Sequence, residues 1–225
     1  MERIFSKIDS IAQKQFGMDV KDARELIRLM SKVFRELLIN AGHDERQVRR
    51  LTTKFRDAGR RSAPWKPTSS RVPGRPQDGS DGNRINRWLL PKEHKFYADE
   101  ITATLSEIKY YCQALSMNGS PTCPENTLQQ CFYPWLIEHP VEPGLYLDPI
   151  QLIPINLHEV VEDASIIQSG HLIPLDRDGK HEPKNVFLML YRSNQLQGNL
   201  TLEELVALMD TIVQKHKARA LKSKK

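Results

Sequence analysis

Between Asp19 and Asn40 the apolar residues Ala23, Ile27, Met30, Phe34 and Leu37/Leu38 recur at helical spacing, with Asp19 placed to cap the first turn and Gly42 just past the end. This predicts an amphipathic helix. A second is predicted over about residues 43–58, with Val48, Leu51 and Phe55 on one side, Arg46, Arg49, Arg50, Lys54 and Arg56 elsewhere, and Gly59 as its stop. The tight Asn-Ala-Gly turn between the two makes an αα-hairpin, either a plain packing unit or a helix-turn-helix reader. From Asp99 to Asn118 the positions Ile101, Leu105, Ile108, Cys112 and Leu115 step by four and three. That narrow seam suits packing along another helix or along a second copy of the chain. A last helix is expected from Thr201, whose spacing to Glu204 is that of a capping box, with Leu205, Leu208/Met209 and Ile212 behind it.

The pattern changes in three places. After Pro121 the chain reads as loop with short extended pieces through "CFYPWLIEHPVEPGLYLDP". Around residues 168–199, "SGHLIPL" and "NVFLML" read as two short strands separated by a polar, Gly-containing loop, and "RSNQLQGN" as a polar helical turn packed across them. Residues 60–92, with five prolines and three glycines, can propagate neither a helix nor a central strand. The expected fold class is α+β, mainly α. Its parts are a helical region at 1–59, a basic segment at 60–92, a helix and irregular region at 93–145, a β-hairpin-and-helix domain at 146–217 and a basic tail at 218–225.

Charge sharpens this division. The net charge is +5, yet residues 60–92 alone hold eight Lys or Arg against Asp78 and Asp81, a local +6, so the remainder is −1. Arg71, Arg75, Arg84 and Arg87, interleaved with Trp65 and Trp88, suit an arm that follows a phosphate backbone, and the same composition suits an interdomain linker. No run of about eighteen apolar residues occurs, and the N-terminus is charged and amphipathic, so the expected location is the cytoplasm, away from membranes. Cys112, Cys123 and Cys131 form no CxxC pair and read as buried thiols; a zinc site joining them to His94 or His139 would follow no familiar spacing.

The segment 168–199 carries the candidate chemistry. "GHLIP", "DGKHEPKN" and "SNQLQGN" place His171 on the first strand, Asn185 at the start of the second and Asn194 on the helix. This constellation resembles the HNH, or ββα-metal, nuclease motif. The resemblance implies a divalent-metal DNA endonuclease in which His171 takes the proton of the attacking water, Asn185 ties the loop across the hairpin and Asn194 ligates the metal. His181, which has no fixed place in the motif, is expected to contact the DNA phosphate or assist the metal's shell, and Arg192 to contact DNA.

Many members carry an Asp ligand immediately before the His, where this chain has Gly170. The shell would then be completed by Asp163, Asp176 or Asp178, or by water around Mg²⁺, with Mn²⁺ able to substitute. Some members clamp the fold with two CxxC pairs; Leu190 and Ser193 stand at the second pair's positions, so no structural zinc is expected and Ile173, Val186, Leu188 and Leu190 would hold the core. The implied function is a type II restriction enzyme acting on double-stranded DNA as a homodimer, with the Ile101–Leu115 seam as one candidate interface. The alternatives are a phage or homing-type HNH nuclease and a catalytically silent nucleic-acid-binding regulator.

Overall fold

The computed structural model describes residues 2–62, 84–123, 127–133 and 135–222. Arg71 and Arg75 lie outside them. The chain is mainly helical, with two small antiparallel sheets.

Helix α1 (Glu2–Ala12) buries Phe5, Ile8 and Ile11 against α2 (Val20–Asn40). Asp19 opens α2 with a reciprocal cap: its carboxylate accepts from the Asp22 amide at 2.8 Å while the Asp22 carboxylate accepts from the Asp19 amide. Such a cap contributes about 1 kcal/mol. Helix α3 (Glu45–Gly59) begins at Asp44, which accepts from the amides of Arg46 and Gln47. Its apolar stripe of Val48, Leu51 and Phe55 is fully buried, leaving Arg46, Arg49 and Arg50 outward.

Helix α4 (Glu100–Leu115), capped by Asp99, is the centre of the molecule, packed against α2, α3 and the second hairpin strand. Ile108, Cys112 and Leu115 are buried within this fold, so the seam serves intramolecular packing and is not a surface for a second copy, a correction to the sequence expectation. The polar residues of α4 are buried too. Glu107 receives Arg60 Nε at 2.5 Å and the Tyr111 hydroxyl at 3.1 Å. Lys109 donates to the Pro183 carbonyl and stands 3.7 Å above the Phe187 ring, and Gln113 Oε1 accepts from the Leu188 amide.

Two residues after α3, β1 (Arg61–Ser62) pairs with β2 (Ile85–Asn86), so both ends of the basic segment are fastened at one place. The short helices α5 (Thr127–Phe132) and α6 (Leu157–Glu162) flank a loop region that closes over α4. Strands β3 (Ile167–His171) and β4 (Val186–Leu190) form the expected hairpin, with His171 opposite Val186 and Gly170 opposite Phe187. Helix α7 (Tyr191–Gln197) crosses it, and α8 (Leu202–Lys222) follows. Val186 and Leu188 enter the core, with Leu190 packed at its edge, whereas Ile173 is 50% exposed because it has already left the strand for the loop. Among the described residues no helix is long and apolar enough to cross a membrane.

Candidate active site and basic cleft

Side chains alternate sides along a strand, so Ser169 and His171 face one way from β3 and Gln168 and Gly170 the other. The two candidate functions therefore fall on opposite faces of one five-residue strand.

On the first face His171 Nε2 lies 3.1 Å from His181 Nδ1, and His181 Nε2 lies 2.8 Å from the Gly59 carbonyl oxygen. The carbonyl can only accept, so His181 is protonated on Nε2, and in neutral His181 Nδ1 must accept. His171 consequently donates from Nε2 and keeps its lone pair on Nδ1. Burial lowers the pKa of His171 to about 4, and the nearby Arg87 charge adds to the shift; the same causes push His181 well below the usual histidine range. The pair is thus neutral at physiological pH, with one basic nitrogen fixed by its hydrogen bonds.

His181 is only 1% exposed, so the expected contact with DNA is replaced by this orienting bond. Arg87 changes role in the same way. It is 7% exposed, and its guanidinium donates to the carbonyls of Gly59, Ala58 and Phe96, leaving it a structural cation behind the histidines.

On the opposite face Asn194 Nδ2 donates to Gln168 Oε1 at 2.7 Å. Among the described residues nothing donates to Asn194 Oδ1. A Cβ at Gly170 would stand 3.4 Å from that oxygen and would press on the Met189 side chain, so the carboxylate missing from the sequence would have projected beside Asn194. The three alternative aspartates are committed elsewhere or stand apart. Asp163 caps the turn at 164–166 by accepting from Ser165, Asp176 pairs with Lys95 at 2.5 Å, and Asp178 occupies a left-handed turn position in the exposed loop. Among the described residues no group of three or more His, Cys, Asp or Glu converges on a metal-sized site.

Asn185 closes the loop. Its Nδ2 donates to the carbonyls of Ile173 and Lys180, and its Oδ1 accepts from the Ile173 amide at 2.8 Å. Gly179 lets the loop fold back tightly, since a Cβ there would collide with the Ile173 carbonyl.

Asp148 escaped the sequence reading altogether. Fully buried, it accepts from the Leu190 amide on one oxygen and from the Ser193 hydroxyl and the Ile150 and Gln151 amides on the other, while Gln151 donates to Ser193. A carboxylate thus joins the end of β4 to the start of α7 at the two positions, Leu190 and Ser193, where some HNH proteins would carry cysteines. The residue before Asn194 is anchored by it. Its only sequence signal is an Asp in a stretch that looks like ordinary loop.

Beside the hairpin runs a cleft of about 1020 Å³. Arg46, Arg49, Arg50, Lys54, Arg61 and Arg84 line it, with Asp57 as the one acidic lining residue among those described. Lys54 donates to the Ala164 carbonyl and Arg84 to the Asp57 carbonyl, which sets both cations along the wall. Two strand residues, Gln168 and Ser169, line it from opposite faces; His171 and Asn194 are not in its wall but are joined to it through Arg87, whose charge bears on His171, and through Gln168, which accepts from Asn194. Arg192 is exposed on α7.

No family model and no curated protein matches this sequence. Among solved structures, one described as a type II restriction endonuclease superposes with a TM-score of 0.47 at 19% identity, over 60% of this chain and 62% of that one.

Proposed function

We propose that this chain is a metal-dependent DNA endonuclease of the HNH type, acting as a sequence-specific restriction enzyme in the manner of type II systems. The observation that carries the reading is the basic cleft ending at a strand that holds an oriented neutral imidazole on one face and an unengaged carboxamide oxygen on the other.

Hydrolysis of a phosphodiester needs a base for the water, positive charge for the phosphoryl oxygens and a backbone held in line. His171 Nδ1, with its lone pair fixed by the hydrogen bond from Nε2 to His181, takes the water's proton. The cations of α3 hold the phosphate backbone along the cleft by releasing its counterions. The metal-side residues offer neutral oxygen donors, Asn194 Oδ1 and, after rotation of its amide, Gln168. Such a sparse oxygen set suits a hard ion that retains its waters, as Mg²⁺ does, and is a poor match for zinc. When bound, the ion supplies charge to the non-bridging and leaving oxygens. Cutting both strands with one site per chain engages two copies on the duplex.

The test is incubation of supercoiled plasmid with the purified chain in Mg²⁺ and in EDTA, with sequencing of the ends. Nicked and linear products with uniform ends in Mg²⁺, absent in EDTA, are expected. Intact plasmid despite tight binding would identify a silent DNA-binding protein, and full cleavage in EDTA would remove the ββα-metal assignment.

A further inference from the structure

Helix α8 is poorly explained by its own fold. Only Leu205 is buried, at 4% exposure, and the Arg177–Glu204 pair at 2.8 Å anchors the same first turn. From Val206 to Leu221 every residue is exposed. Yet this stretch is not a polar helix: Val206 is 57%, Met209 44% and Val213 47% exposed. Leu202, Val206, Met209, Val213, His216 and Ala220 succeed one another in steps of four, three, four, three and four. That is the spacing of a coiled-coil seam, which nothing among the described residues covers.

The charges select the occupant. The first half of α8 carries Glu203, Glu204 and Asp210, and the second carries Lys215 and Lys217. Two copies side by side in parallel would set acid against acid and base against base along the whole length. In antiparallel pairing Glu203 of one copy lies beside Lys217 of the second at each end of the helix, with the two Asp210 residues near the midpoint. The same register layers Leu202 on Ala220, Val206 on His216 and Met209 on Val213, so seam and charge agree.

From this self-complementarity we infer that α8 docks antiparallel on α8 of a second copy. The inference rests on the two-copy reading above and gives it an interface, one that the buried α4 seam cannot provide. Because only residues 198–201 separate α8 from α7, such pairing would also fix the distance between the two Asn194 sites.

Sedimentation equilibrium of the full chain at tens of micromolar tests it without any cleavage. Twice the monomer mass is expected for wild type, and the monomer mass, with unchanged helical circular dichroism, for Met209→Glu combined with Val213→Glu. Glu203→Lys and Lys217→Glu should each weaken the dimer about tenfold, and the two together should restore it. A wild-type monomer, a dimer insensitive to the seam change, or charge effects that simply add would each overturn the inference. A monomer that cuts plasmid leaves the nuclease reading standing, and a dimer that does not cut leaves this interface standing.

Discussion

The two faces of β3 meet opposite requirements with opposite means. Behind His171 lie a buried histidine, a backbone carbonyl and the enclosed charge of Arg87, a dry setting that keeps the imidazole neutral and leaves Nδ1 as its basic nitrogen. Around Gly170 the strand presents only carboxamides, uncharged and lightly engaged, next to a side chain that is absent altogether. One face is over-determined, and the other is held by a single carboxamide pair beside the Met189 side chain. A single strand supports both because alternate residues never share surroundings.

The largest effect should come from the crowded face. His171→Ala is expected to lower the rate of plasmid cleavage by about 10³-fold or more while leaving gel-shift affinity nearly unchanged, since general-base catalysis contributes roughly 10²–10⁴-fold. Equal loss of binding and cutting would make His171 a structural residue and dissolve the contrast.

The carboxamide face, under the proposed function, should respond through the ion. Asn194→Ala is expected to raise the Mg²⁺ concentration needed for half-maximal cleavage by about 10–100-fold, the scale on which metal sites respond to lost supporting groups. Gly170→Asp should shift that requirement the other way once the flexible Met189 side chain has moved aside, at a stability cost of about 1–3 kcal/mol for the crowding. If Gly170→Asp leaves the metal requirement untouched, the ion sits elsewhere and the two faces do not divide the chemistry.

The smallest effect is one of pH, and it also separates the faces. With its folded pKa lowered to about 4 from an ordinary 6.5, His171 stays basic down to mildly acidic pH, so the acid limb of kcat/KM should break near 4. Between those two values the unfolded state binds more protons than the folded one, so the stability this histidine contributes is complete above pH 6.5 and drains away as pH falls toward 4. Gln168 and Asn194 do not titrate and should add no break of their own. An acid limb near 6.5 would mean that the imidazole is solvated in the working enzyme. Thermal melts between pH 4 and 7 check the stability slope separately.

Much of the scaffold could be read from one-dimensional pattern, because it depends on neighbours. The cap at Asp19, the Val48–Leu51–Phe55 stripe, the Ile101–Leu115 spacing and the Thr201–Glu204 box act between near neighbours in the chain, and the helices they predicted are present. What escaped depends on distant partners. Glu107, Lys109 and Gln113 look like the wet side of α4, yet they are buried and engaged by Arg60, the Pro183 carbonyl and the Leu188 amide, up to 75 residues away. Charge and imidazole suit phosphate, which makes Arg87 and His181 candidate DNA contacts in the sequence, whereas in the fold backbone carbonyls at the end of α3 hold them. The cleft itself joins the basic side of α3, noticed in the sequence only as the helix's other face, to a strand more than a hundred residues later.

Gly59 gathers these threads at a place with no side chain. Its carbonyl receives both Arg87 Nε and His181 Nε2, and its bare α-carbon lets Glu107 of α4 approach closer than any Cβ would allow. An alanine there pushes α3 from α4, and the carbonyl that orients the histidine pair moves with it. In a saturation screen for nuclease function, tolerance to substitution would therefore fall away at a residue with no chemistry of its own, far upstream of the motif. Drift in this lineage would be constrained by the space that glycine leaves empty as strictly as by the imidazole it helps to aim.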